Sequence, residues 1–351
     1  MEKKRLVYFD IMRIISILCM ITLHVSGNKI GLIPVESYNW KILNIYRSTV
    51  SFCVPLFIMI SGALFLNPVK GIPIKSLYKK NVFRLLIAYI FWSVCYSFYT
   101  SGIYRGITSS TLNSFVGRVL VGHYHLWFIP MIIGLYIIVP FLRKITVEKK
   151  LTEYFLLLSF VFTIVFPIIS LLPINQKVIS IFERILDNAG INFLLGYSIY
   201  FVSGYYFSKY DLTTKIKVTI YTLGIACLVC TIITTQLISS SRNVAYTNLY
   251  GFLMPNTALM TLSTYIFLKN SFVKVNCSEK QLQMVSIFSR CSFGIYLIHD
   301  FFLILSRKLG FDALTFNPIF SVPLITLLVY FCSFTITFLI SKIPKINKYI
   351  V

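Results

Sequence analysis

Long apolar stretches separated by short polar intervals run along almost the whole chain. Each stretch has about 20 residues, the length that an α-helix needs to cross the hydrocarbon core of a bilayer. The pattern predicts ten such spans, near residues 8–28, 44–66, 82–102, 124–142, 153–173, 191–208, 217–238, 250–268, 286–306 and 319–341. We therefore expect an all-α, polytopic membrane protein in which residues 1–351 form one domain.

Composition supports a membrane location. Hydrophobic residues make up 57% of the chain and charged residues only 13%, with a mean hydropathy of +0.80. Soluble domains are about one quarter charged. A net charge of +22 would suggest nucleic-acid binding in a soluble protein. Here the positive charges lie between apolar spans, so they indicate membrane topology, and we expect no nucleic-acid partner.

Lysine and arginine also predict the orientation. If the N-terminus is cytoplasmic, 22 of the 33 Lys and Arg residues fall in inner segments and ten in outer segments, with Arg13 inside the first span. Cytoplasmic loops of membrane proteins carry such an excess of positive residues. This bias predicts that both termini are cytoplasmic. It also predicts that the inner loops, above all Lys70–Arg84, attract anionic membrane lipids and anionic cytosolic ligands.

The first span carries three ionisable residues, Asp10, Arg13 and His24. Ionisable groups inside a span are costly and usually mark a functional site. Arg13 and His24 are eleven positions apart, which puts them on one helix face and roughly 16 Å apart along the axis. Asp10 precedes Arg13 by three positions, so an ion pair is expected. Judged on this helix alone, a purely structural role is as plausible as a functional site. In that case Arg13 reaches to the lipid headgroups and His24 hydrogen-bonds a neighbouring helix.

These residues carry a family resemblance. The D-x-x-R and R-x(10)-H patterns of Asp10, Arg13 and His24 resemble the first helix of membrane-bound acyltransferase family three, which includes integral membrane O-acetyltransferases of surface polysaccharides. Three later segments agree in order, namely VPLFIMISGALF (54–65), HLWFIPMIIGLYIIVP (125–140) and SFGIYLIH (292–299). The resemblance covers the whole chain as a single membrane acyltransferase domain.

The resemblance implies a function. It implies transfer of an acetyl group from cytosolic acetyl-CoA to a hydroxyl of a cell-surface or lipid-linked glycan. The protein would be a multi-pass protein of a bacterial plasma membrane, with Arg13 and His24 as its essential pair and Asp10 as donor-side support. Acetyl-CoA would be a substrate, with no permanently bound cofactor. A succinyl group, a small-metabolite acceptor, a homo-oligomer and a glycan-synthesis partner all stay open.

Other polar residues are candidates for the acceptor side. Arg47, His125, His299 and Asp300 lie in the outer halves of their predicted spans, whereas His123 is expected in a loop. An acid and a histidine at membrane depth face a cavity more often than lipid. Arg47 could bind an anionic glycan group or pair with an acidic residue.

Two features limit the prediction. Pro55 stands where many relatives carry an aspartate, so another residue must supply that acid if it is needed. Cys227 and Cys230 form a C-x-x-C inside an apolar span without a second ligand pair, and we expect no metal site.

A second hypothesis is a transporter or flippase of a lipid-linked glycan that performs no acyl chemistry. Intramembrane polar residues and a basic inner face fit that class as well. The chain shows no repeated halves, and its polar residues concentrate in the first span, which favours the enzyme.

Overall fold

A computed structural model describes residues 7–67, 73–165, 195–275 and 277–344, together with residues 168, 177, 178, 180, 181 and 184. The regular structure within these residues is helical throughout, which confirms the all-α prediction. The helices are α1 (Val7–Gly27), α2 (Tyr38–Val50), α3 (Cys53–Phe65), α4 (Ile74–Leu77), α5 (Phe83–Ser101), α6 (Ser109–Val121), α7 (Phe128–Val147), α8 (Lys149–Phe160), α9 (Ser198–Lys209), α10 (Thr214–Arg242), α11 (Pro255–Phe272), α12 (Glu279–Lys308) and α13 (Pro318–Ser341).

Seven segments of the described chain are long and apolar enough to cross a membrane. They are Val7–Gly27, Tyr38–Phe65, Ile74–Ser101, Ser109–Val147, Thr214–Arg242, Glu279–Lys308 and Pro318–Ser341. The chain is therefore a polytopic membrane protein, but ten spans are not confirmed. The predicted spans 153–173 and 191–208 extend outside the described residues, and 250–268 corresponds to α11, which is less apolar than the seven.

Two predicted spans are not continuous α-helices. The second breaks at Ser51 and Phe52, between α2 and α3, and the fourth begins as a 3₁₀ turn over Tyr124–Trp127 before α7. Both α3 and α7 have a proline at their third residue, Pro55 and Pro130. Proline lacks an N–H and is tolerated in the first helical turn, where that donor has no partner inside the helix. The breaks place new helix starts within the membrane-spanning region.

Helix α1 is surrounded by other helices. It packs against α2, α3, α11, α12 and α13. Met12, Ile17 and Ile21 are fully buried in these contacts. The ionisable residues of α1 therefore sit among protein side chains.

Two glycines bring α3 and α9 into backbone contact. A methyl group on Gly62 would overlap the carbonyl of Phe201, and one on Gly204 would overlap the carbonyl of Met59. The Tyr265 hydroxyl donates a hydrogen bond to the Gly204 carbonyl at 2.9 Å. Small residues permit such close approach between membrane helices. This crossing fixes α3, which forms one wall of the cavity described below.

We expect Gly62→Ala to destabilise the protein, because the added methyl meets backbone that cannot move aside. Overpacking of this kind costs about 1–3 kcal/mol. Gly134→Ala is a matched control, since nothing lies within 4 Å of its added carbon. Thermal unfolding of detergent-purified protein measures both. Equal midpoints for the two variants would contradict the described crossing.

Candidate functional site

A cavity of about 360 Å³ lies beside α1. Its walls come from α1, α3, α5, α7 and α12, together with the short turns that precede α5 and α7. Arg13 and His24 both line it, so the two residues predicted to share a helix face do share one cavity. The site is therefore organised along α1.

One end of the cavity is cationic. Arg13, Arg84 and Arg290 line it, with Asn81 and Ser289 beside them. Arginine side chains keep their charge in proteins and present several N–H donors in a fixed plane. Three guanidinium groups at one end favour an anionic ligand with several acceptor oxygens.

Arg13 is held by neighbouring polar groups. Its Nη1 lies 3.4 Å from the Asp10 carboxylate, which confirms the predicted ion pair. Ser289 donates a hydrogen bond to the same carboxylate oxygen at 2.6 Å and accepts one from Arg13 at 3.4 Å. The Asp10 side chain is buried, whereas 32% of the Arg13 side chain is exposed. These contacts orient the guanidinium toward the cavity and argue against Arg13 reaching to lipid headgroups.

The cavity lining also includes a large apolar share. Met20, Val54, Phe57, Leu64 and Phe128 are among its members. An apolar surface of this kind suits an alkyl chain better than a hydrated sugar.

The other end gathers histidines. The chain has four, and all four lie in one cluster. The ring centres of His24 and His299 are 5.2 Å apart, those of His299 and His125 4.9 Å, and those of His125 and His123 5.1 Å. His24 and His125 line the cavity. The sequence-predicted candidates His24, His125 and His299 are thus brought together.

Hydrogen bonds fix two of these histidines. His299 Nδ1 lies 2.7 Å from the Tyr296 carbonyl, so this nitrogen carries the proton and Nε2 keeps a lone pair. The Tyr296 hydroxyl donates to the His125 carbonyl at 2.7 Å. The Nε2 atoms of His125 and His299 are buried without a hydrogen-bond partner among the described residues.

Asp300 faces a different part of the cluster from its neighbour His299. The Tyr124 hydroxyl donates to its Oδ1 at 2.7 Å, and His123 Nδ1 lies 3.5 Å from its Oδ2. Asp300 is fully buried. Adjacent helical residues point about 100° apart, which explains the separate contacts.

Arg47 lies beside the histidine end. Its Nη1 donates to the Leu23 carbonyl at 2.7 Å, and its guanidinium lies over the Tyr250 ring at 5.7 Å. Glu36, one acid that could have paired with it, pairs with Lys41 at 3.5 Å instead. Arg47 thus fixes the end of α1 next to His24.

Several lining residues were not singled out from the sequence. Arg84 was included only as part of the basic stretch Lys70–Arg84, whose charges membrane topology also explains. Ser289 and Arg290 lie just before the SFGIYLIH segment. Trp127 also lines the cavity, and its ring stacks on that of Phe252 with centres 5.8 Å apart. Only Arg290 could have been recognised from the sequence as a lining residue, because it lies two residues before SFGIYLIH on the same helix, α12.

Pro55 is buried in α3. Among the acidic residues that the structure describes, only Asp10 and Asp300 are buried. Asp300 is the one at the histidine end, so it is the candidate for the acid that position 55 lacks.

Comparison with known proteins identifies one family. The model of an acyltransferase domain, that of acyltransferase family 3, matches residues 6–342 and so includes both ends of the cavity. Among curated proteins and among solved structures, nothing matches the chain.

Proposed function

This chain belongs to acyltransferase family 3, a membrane acyltransferase family, and from that membership we propose an acetyl transfer from cytosolic acetyl-CoA. The acceptor is a hydroxyl of a cell-surface or lipid-linked glycan at a bacterial plasma membrane. One observation carries the proposal: a single cavity joins three arginines to His24. Acetyl-CoA enters as a substrate and leaves as CoA.

The arginine end receives the anionic part of the donor. With the N-terminus cytoplasmic, Arg13 lies near the inner face and His24 farther out, in line with the excess of Lys and Arg in the inner segments. Arginine binds phosphate oxygens through paired hydrogen bonds. Arg84 and Arg290 provide two further guanidiniums for the phosphates of CoA.

The apolar lining receives the pantetheine arm, whose alkyl segments need little hydration. Arg13 and His24 are separated by roughly 16 Å along α1, so an extended arm carries the thioester from the arginines toward the histidines. Phe57 and Leu64 contribute apolar surface to this path.

His24 acts as the general base. Its imidazole takes the proton of the acceptor hydroxyl as that oxygen attacks the thioester carbonyl. The tetrahedral intermediate then collapses, the C–S bond breaks, and the CoA thiolate takes the proton from the imidazolium. The products are the acetyl ester and CoA, and His24 returns to its neutral form.

His299 and His125 support this chemistry. His299 Nε2 keeps a lone pair and has no partner among the described residues, and its ring lies next to that of His24. In the reacting complex we assign it as the acceptor toward which the N–H of His24 turns, which leaves the other nitrogen of His24 free as base. His125 Nε2 is buried without a partner among the described residues and belongs to the cavity wall. As an N–H donor it stabilises the oxyanion of the intermediate.

His24→Ala should lower acetyl transfer by about 10²–10⁴-fold, because a positioned base contributes about that much. Radiolabelled acetyl-CoA added to inside-out vesicles with the parental glycans measures this. Cys19→Ala, on the same helix but outside the cavity lining, is the control and should stay near the parental rate.

Normal labelling by membrane-inserted His24→Ala protein would contradict the assignment of the base. The same assay separates the two function classes. Label on lipid or glycan supports the acyltransferase, and glycan movement across the vesicle membrane without label supports a transporter.

Arg84→Gln should raise the KM for acetyl-CoA about tenfold or more with a smaller change in kcat. A charged hydrogen bond contributes about 1.5–3 kcal/mol, and a tenfold change corresponds to about 1.4 kcal/mol. Lys79→Gln removes an exposed positive charge from the adjacent π-helical turn and should leave the KM unchanged. Equal KM increases in both variants would indicate a general effect of charge.

A further inference from the structure

We propose that His123, His125 and Asp300 bind a divalent metal ion of the zinc class. The site lies at the histidine end of the cavity, whose lining includes His125. One ligand atom from each residue lies within 4.8 Å of the others. His125 and Asp300 are buried, and His123 is partly buried.

The distances suit a small tetrahedral ion. His123 Nδ1 lies 3.0 Å from His125 Nδ1 and 3.5 Å from Asp300 Oδ2. Nitrogen and oxygen ligands bind zinc at about 2.0–2.2 Å, and tetrahedral geometry then separates neighbouring ligands by roughly 3.3–3.5 Å. Two of the three separations are close to that value, and the third, between His125 and Asp300, is within 4.8 Å.

Hydrogen bonding alone does not satisfy this group. The Nδ1 atom of His123 carries at most one proton, yet it faces both the Nδ1 of His125 and the carboxylate of Asp300. Asp300 Oδ2 is fully buried and has no hydrogen-bond partner among the described residues. An uncompensated buried carboxylate is expensive. A divalent ion would accept all three lone pairs and neutralise the carboxylate.

Neighbouring tyrosines orient the ligands. Tyr124 donates to the other oxygen of Asp300 at 2.7 Å, and the Tyr96 ring stacks on His123 with centres 4.4 Å apart. Tyr296 holds the backbone carbonyl of His125. Supporting groups of this kind fix the geometry of metal ligands in known sites.

Two imidazoles and one carboxylate form a ligand set typical of zinc with an open fourth position. Coordination through Nδ1 would leave the Nε2 of His125 protonated. This N–H is the oxyanion donor of the proposed acetyl transfer, and that role of the site, unlike metal binding itself, rests on the proposed function.

From the sequence we expected no metal site. Two ligands are only two positions apart, but the third is 175 residues further along the chain than His125, so no spacing motif exists. Only the packing of α12 against the turn before α7 brings Asp300 to the histidines.

Metal analysis of the detergent-purified full-length protein tests the proposal. The protein is stripped with a chelator, incubated with Zn²⁺ or Co²⁺, freed of unbound metal and measured by mass spectrometry. We expect about one ion per chain for the parent, and a tetrahedral Co²⁺ absorption spectrum. His123→Ala and Asp300→Asn should lose the ion.

Asp312→Asn and His24→Gln are controls for the loss of a carboxylate and of a histidine outside the ligand set, and both should keep the ion. Asp312 pairs with Lys29 at 3.0 Å instead. A folded parent that retains neither Zn²⁺ nor Co²⁺ overturns the proposal, whatever the variants do. Full metal content in His123→Ala also overturns it. Neither measurement depends on acyl transfer, so failure here is distinct from failure of the proposed function.

Discussion

The cost of placing ionisable groups at membrane depth governs this structure. Charged side chains cannot face lipid cheaply, so they must face protein or a cavity. Helix α1 meets this constraint because five other helices surround it. Asp10 is compensated by Arg13 and Ser289, and the other two ionisable residues of this helix, Arg13 and His24, line one cavity. The cavity is thus the physical consequence of a charged first helix.

The cavity beside α1 has a different chemical environment at each end. Guanidiniums gather at one end and imidazoles at the other, with apolar side chains also in the lining. Such a division suits a donor and an acceptor that come from opposite sides of the membrane. In the proposed reaction, the charged head of the donor stays at the inner face while its thin arm carries the acyl group to His24. No helix has to move the donor across the membrane.

The arrangement along α1 could be predicted from the sequence, because the spacing of residues in one regular helix fixes which side chains share a face. Regular helical spacing placed Arg13 and His24 on one face and predicted the Asp10 pair. The helix breaks before Pro55 and Pro130 were not predicted, because hydropathy is averaged over about 20 residues and an interruption of one turn does not change that average. The convergence of His123 with Asp300 depends on tertiary packing between distant segments, so no local pattern reports it. Arg84 and Arg290 could not be singled out among the basic residues of the inner segments, because topology alone already accounts for basic residues near helix ends.

A structure of the protein in lipid nanodiscs with a non-transferable thioether analogue of acetyl-CoA, determined by electron cryo-microscopy, tests most directly whether one cavity holds the donor from its phosphates to its sulfur. We predict phosphate density against Arg13, Arg84 and Arg290, the arm along Phe57 and Leu64, and the sulfur next to His24. Density for the analogue outside this cavity, or with its phosphates at the histidine end, would contradict this prediction.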